Sequence, residues 1–444
     1  MLSIRGRVIT PDDSDYDAAR RVFVGDVDRR PEAIVRVADD ADVARVIELA
    51  RETGRELAVR SGGHSAAGHG TTDGGIVLDL SAMRALEIDP VGRTAWAETG
   101  LTAGAYTAAV GAHGLATGFG DSGSVGIGGI TVAGGMGFLL RKHGMTIDNV
   151  LAADVVTASG DLVRADAETN PDLFWAIRGG GGNFGVVTRF KFRLHEVPEV
   201  TGGMLILPAT PDVIEGIVAE CEAAPEELSG MVSVMKAPPL PFVPAEHHGG
   251  PIVLALLAHA GPPEEGEHVL APFRALATPI ADLLRPMPYA DLFPPSDEDY
   301  RPSAVVRTMF VGSVGRRAAE TIVERVEGAT APMAVTQLRV LGGAMARVPA
   351  DATAFPHRES RLLVNVAAMY ARPEDRAAQE PWVARLADEL ADGDTGAYTG
   401  FLADEGEERV RAAYPGRTWD RLAAIKARYD PGNVFRLNQN VPPA

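Results

Sequence analysis

The sequence predicts an α+β protein that changes character near residue 200. Before Val200, short apolar runs alternate with an amphipathic helical pattern, and hairpin spacing surrounds a Ser-Gly-Asp turn. After Val200, strands and helices are punctuated by Pro208, Pro238, Pro239, Pro241, Pro244, Pro262 and Pro263, which marks a domain boundary. With 444 residues, 46% of them apolar, and a mean hydropathy of +0.01, the chain can fill two or three packed cores.

Ala33 to Val37 is a short apolar run read as a strand. Asp40 to Thr53 then places Val43, Val46, Ile47 and Ala50 on one helical face, and Gly54 stops it. Leu57–Arg60, Ile76–Leu80 and Thr94–Glu98 read as further strands. Thr102 can cap a helix running to His113 that ends at Gly114, and Val155–Thr157 pairs with Leu162–Arg164 across Ser159-Gly160-Asp161. Between about Gly118 and Gly137 glycine is so frequent that neither a helix nor a central strand is expected, unless the backbone must lie close to a ligand. Gly179 to Gly182 with Gly185 form a second cluster, between an amphipathic turn through Phe174, Trp175 and Ile177 and a strand Val186–Phe192.

Composition excludes several functions. Forty-two Lys and Arg against 60 Asp and Glu give a formal charge of −18, which opposes nucleic acid and anionic membrane surfaces. Met1 to Arg21 lacks an apolar core and no apolar run is long enough to span a bilayer, so a cytoplasmic location is expected. Cys221, the one cysteine, follows Ile214, Ile217 and Val218 at helical spacing and reads as a core residue; a disulfide framework and a cysteine zinc site are excluded.

The chemistry starts at Arg60-Ser61-Gly62-Gly63-His64. A glycine turn at a strand end lets backbone amides approach a pyrophosphate, and the imidazole that follows can attack an electrophilic cofactor. The combination suggests a covalently held flavin. Two stretches, Gly118/Gly120/Gly123 and Gly180/Gly182/Gly185, satisfy G-x-G-x-x-G. Neither supplies the strand, helix and later acid of a nicotinamide site. Separate glycine segments fit instead a long cofactor such as FAD, touched mainly by backbone N–H groups. His69 has no carboxylate or cysteine to complete a metal ligand set, so no metal is expected.

The residues also carry a family resemblance. Arg60 to Ser65, Asp73-Gly-Gly-Ile-Val-Leu-Asp-Leu80 and Arg178-Gly-Gly-Gly-Gly-Asn-Phe-Gly-Val-Val-Thr188 resemble FAD-linked oxidases of the vanillyl-alcohol-oxidase superfamily. The tail, Tyr429-Asp-Pro-Gly-Asn-Val-Phe-Arg436 with Asn438-Gln-Asn-Val-Pro-Pro443, resembles the berberine-bridge-enzyme C-terminus. The resemblance implies a two-subdomain FAD-binding module (1–200), an antiparallel-sheet substrate domain flanked by helices (201–397), and a C-terminal segment (398–444) returning to the FAD module. It implies FAD bonded through its 8α carbon to His64. It also implies a cofactor shell of Arg60, Ser61, Gly62, Gly63, Ser65, Gly68, His69, Asp121, Ser122, Ser124, Val125, Gly126, Gly128, Gly129, Gly135, Val187, Asn438 and Asn440.

Departures from the family pattern narrow the reading. Where many relatives carry a second flavin link through cysteine in C-P-T-V-G-x-G-G, this chain has Ser122-Gly-Ser-Val-Gly-Ile-Gly-Gly129. A serine without an activating base is a poor nucleophile, so one link is expected. Ile130 stands where histidine is frequent, and Val125 falls at a position that the resemblance connects with oxygen access. The late Y-x-N-Y motif, which often supplies a catalytic tyrosine, is here Tyr398-Thr399-Gly400-Phe401. Tyr398, Tyr289 and Tyr106 remain as candidates for a catalytic group, each needing a cationic neighbour to act as a base near neutrality. An amine entering unprotonated would need no base. The sequence thus points to a flavoprotein oxidase of a small or medium secondary-metabolite-like alcohol or amine, with O2 as the acceptor. An oxygenase or cyclase on the same fold, or a drug-sequestering resistance flavoprotein, are its alternatives.

Overall fold

The computed structural model describes residues 4–293 and 300–444. The first sheet orders its strands Arg7–Ile9, Ala33–Arg36, Ile76–Asp79, Leu57–Arg60. Ile76–Asp79 is parallel to both neighbours and buried along its whole length, as its unbroken apolar run requires. Helix Asp40–Thr53 covers this sheet. The Asp39 carboxylate accepts the Asp42 N–H at 2.9 Å, the predicted apolar face is buried, and Gly54 closes the helix at φ 65°.

The second sheet is wholly antiparallel, in the order Leu86–Asp89, Thr94–Glu98, Val186–Arg193, Val150–Val156, Leu162–Asp166. The hairpin expected around Ser159 to Asp161 is its last pair. Thr102 caps helix Ala103–Gly111, two residues shorter than the sequence reading, with Gly114 in a left-handed turn beyond it. Val410, Leu422, Ile425 and Val441 share the core of this sheet with Phe190 and Phe192. At its centre Lys426 Nζ donates to the Asn183 and Phe435 carbonyls and to Asp430, while Asp430 accepts the Val434 and Phe435 amides.

Among the described residues the third sheet has eight strands, antiparallel throughout. Six long ones run Val200–Pro208, Pro251–His259, Leu228–Lys236, Met333–Val340, Leu362–Tyr370, Ser303–Val311. Alternation divides its faces. Leu205, Val232, Leu257, Leu338, Val364 and Val366 pack under helices Pro211–Ala223, Arg316–Glu327 and Arg376–Leu390, with Cys221 buried among them. The opposite face carries Val306 and Asn365 and turns toward the Arg60–His64 turn and the 120–133 segment. Arg141, from helix Leu140–His143, holds the helix side of this sheet by its main-chain carbonyls. Its guanidinium donates to the carbonyls of Cys221 (2.7 Å), Leu228 (2.9 Å) and Ala224 (3.0 Å).

One local expectation fails. Ile127–Ala133 is a seven-residue helix inside the glycine-rich stretch. Tertiary packing overrides propensity here, because only glycines allow the approach. A Cβ on Gly126 would sit 2.2 Å from the Gly62 nitrogen, and one on Gly128 would sit 3.1 Å from the Ser61 side chain.

Candidate active site

The turn at Arg60 leaves its strand and meets the 120–133 segment, and the two line a cavity of about 460 Å³ roofed by the third sheet. Arg60 is tied off. Its guanidinium donates to Asp79 at 3.0 Å, which pins the turn to the first sheet. Ser61 Oγ donates to the Thr99 carbonyl at 2.5 Å and accepts the Gly128 amide at 3.3 Å, stitching turn to helix.

His64 is stacked on Phe23, with ring centroids 4.0 Å apart and planes 15° apart. Burial, and then the Arg301 charge, lower its pKa to about 4, so the imidazole is neutral near pH 7 and its nitrogen lone pair is available. His69, also lowered to about 4 by burial and Arg29, lines the cavity as a neutral ring. Among the described residues that line it, Asp121 is the one carboxylate; it pairs with the buried Arg339, which also donates to the Met136 carbonyl.

The expected cofactor shell is largely gathered here. Arg60, Ser61, Gly62, Gly63, His64, Ser65 and His69 line the cavity with Asp121, Ser122, Val125, Gly126, Gly128, Gly129, Val187 and Asn438. Ser122 Oγ lies 3.1 Å from Ser124 Oγ, a partner that cannot serve as its base. Four residues stand outside the lining. Gly68 packs on Val27, Ser124 supports Ser122, Gly135 donates its N–H to Tyr398, and Asn440 holds a buried, unpartnered Oδ1.

The three tyrosines separate. Tyr398 lines the cavity, but its hydroxyl accepts the Gly135 N–H at 2.9 Å and burial pushes its pKa up to about 12. It is a neutral hydrogen-bond donor, not a base near pH 7. Tyr106 is a correction: it lies in the second sheet's core against Phe119 and Phe192, its hydroxyl 3.2 Å from Thr117, away from the cavity. Tyr289 is another, buried with Phe293 and Met287 and outside the lining. Burial raises the pKa of both.

Sequence reasoning missed the roof and one wall. Asn365 and Val306 come from the third sheet, and Phe23 from an N-terminal stretch without a motif. The lone amide in the apolar run Leu362-Leu-Val-Asn365-Val-Ala was a legible signal, since a buried carboxamide needs a partner.

FAD fits what is present. Gly129 lines the cavity and a Cβ there would meet nothing within 4 Å, so glycine at this position leaves the space open to a ligand. Asn365 and Asn438 line the same space with buried carboxamide oxygens that have no partner among the described residues. Comparison with known proteins agrees. The "FAD binding domain" family matches residues 31–166 and the "Berberine and berberine like" family matches 394–442. (R)-6-hydroxynicotine oxidase of Paenarthrobacter nicotinovorans is 32% identical over 100% of this chain and 98% of its own length. Xylooligosaccharide oxidase of Thermothelomyces thermophilus is 30% identical over 93% of this chain and 88% of its own. The crystal structure of 6-hydroxy-D-nicotine oxidase from Arthrobacter nicotinovorans superposes with a TM-score of 0.89 at 30% identity, covering 100% of this chain and 99% of that one. The chain belongs to the berberine-bridge-enzyme-like family of FAD-linked oxidoreductases.

Proposed function

We propose that the protein is an oxidase that removes hydride from a small or medium alcohol or amine, with FAD bonded to His64 and O2 as the final acceptor. The observation that carries this reading is His64 itself: a buried, neutral imidazole at the wall of a glycine-lined cavity, with no acid among the described residues raising its pKa. FAD, when bound, supplies the two-electron chemistry and the reaction with oxygen. The chain's own residues bind and orient. Tyr398 offers a hydroxyl proton from the cavity wall, Asn365 offers a carboxamide from the roof, and Asp121 faces the site with one oxygen held by Arg339. Ser122 leaves His64 as the single tether.

The substrate side is largely uncharged, with Val306, Phe401 and Met136 beside these polar groups. That lining supports a mostly apolar substrate bearing one hydroxyl or amine. The reading is tested by mixing the protein anaerobically with a panel of secondary alcohols and amines, 6-hydroxynicotine and xylobiose included, and then admitting labelled oxygen. Bleaching of the flavin absorbance followed by labelled hydrogen peroxide is the expected result. Label in the organic product would replace it with an oxygenase, and ligand binding without bleaching with a sequestering protein.

A further inference from the structure

The segment between strands Arg7–Ile9 and Ala33–Arg36 makes contacts that the motifs do not explain. Val22 to Val27 runs between the His64 turn and the third sheet as a clasp. The Phe23 N–H donates to the Gly63 carbonyl at 3.0 Å, and two residues on the Gly25 N–H donates to the Pro302 carbonyl at 3.0 Å. A Cβ on Gly25 would lie 2.4 Å from the Arg301 carbonyl oxygen, so the fit to the sheet is tight. Asp26 then accepts from the Tyr370 hydroxyl and pairs with Arg376 at 3.6 Å. Phe23 is therefore fixed from both sides. Among the described residues its ring joins none of the apolar cores; one face stacks on the His64 imidazole, and Tyr300 meets it edge-on at 6.2 Å.

We infer that Phe23 is a positioning residue for the covalent attachment of FAD, holding the His64 imidazole in the plane from which its nitrogen reaches the flavin's methyl carbon. The inference rests on the reading of His64 given above. In the attachment a ring nitrogen of His64 bonds to that carbon. One hydrogen from the carbon and the hydrogen of the imidazole N–H leave together with two electrons, and O2 carries them away as hydrogen peroxide. Such a step is intramolecular once FAD is bound, so its rate depends on how narrowly the nucleophile is held. A histidine on a glycine turn has several staggered rotamers to sample; here a hydrogen bond to the Ser124 backbone fixes one end of the ring and leaves its tilt to the stacked face. The stacked ring removes the rotamers that swing the imidazole out of the cavity.

The test uses the full chain produced in a riboflavin-starved host, supplied with saturating FAD in air, and sampled over time. The flavin that stays with acid-precipitated polypeptide is compared with the flavin released. In the wild type, acid-stable flavin accumulates; if all of it is released, the His64 reading falls and the inference with it. Phe23→Leu is expected to bind FAD reversibly while acid-stable flavin appears about fivefold more slowly, and Phe23→Tyr to restore the rate. Equal rates in wild type and Phe23→Leu, with attachment intact in both, would overturn the inference and leave the His64 reading standing. A Phe23→Leu chain that binds no flavin while Phe23→Tyr does would also overturn it, assigning Phe23 to the fold alone.

Discussion

Single residues in this cavity divide into those that touch open space and those that hold others in place, and the two kinds fail differently. Gly129 touches open space. Its helical backbone accepts any side chain, so Gly129→Leu should leave the unfolding midpoint unchanged or raised, by about 1 kcal/mol from helix propensity. The same side chain fills the cofactor's room, and the ratio of flavin to protein absorbance in the purified variant should collapse. Tyr398 holds its neighbour. Tyr398→Phe strands the buried Gly135 N–H, and urea unfolding should show a loss of about 1–3 kcal/mol. Because burial keeps this hydroxyl protonated up to about pH 12, the pH profile of flavin reduction between pH 7 and 9 should be unaltered by the change. Tyr106 and Tyr289 show why such distinctions were not legible beforehand. A tyrosine in an apolar stretch reads alike whether its ring closes a core or faces a ligand, since only long-range packing decides which side is empty.

At the level of elements, most of what the sequence displayed was local and most of what it hid was not. Helix Asp40–Thr53 carries its cap, apolar face and glycine stop within 16 residues, so periodicity alone locates it. Helix Ile127–Ala133 has no side-chain cap, and the glycine that stops it, Gly134, is lost among its glycine neighbours; its place is set by glycine-to-glycine contact with a turn more than sixty positions earlier. The roof strands are similar: that Asn365 lies over the flavin-binding loops follows from sheet pairing, not from its neighbours in the chain. The C-terminal motif was legible as a family mark, yet its physical reason is the buried Lys426–Asp430 pair, both residues fully shielded from solvent. Lys426→Ala would leave Asp430 as a lone buried charge, with an expected loss of about 3–5 kcal/mol in chemical unfolding. Replacing both by apolar residues of similar size should recover much of that stability. A single variant as stable as wild type would contradict this account.

Across the whole molecule, buried histidines make stability depend on acidity. His69 and His195 have pKa values lowered to about 4 and His143 to about 3, in each case chiefly by burial. His143 and His195 stack 3.8 Å apart beside Lys142, with Asn149 holding His195. The unfolded chain binds protons at the ordinary value of 6.5, so below that pH it takes up more protons than the folded chain. Stability should therefore be level above about pH 6.5 and fall as the pH drops through about 4. Urea midpoints at pH 7, 5.5 and 4.5 should decrease in that order, and an increase on acidification would refute the assignment of neutral buried rings. The fold class was readable from the strand and helix pattern and the cofactor from the glycine turn, whereas the substrate was not, because its walls are assembled from strands distant in sequence. The contact through Arg141 bears on that last point. Its partners at Cys221, Leu228 and Ala224 are peptide oxygens, which every amino acid supplies alike. Side-chain changes at Cys221, Leu228 and Ala224 therefore leave this anchor in place, whereas the neighbouring Arg339–Asp121 and Arg358–Asp148 pairs do depend on side-chain identity.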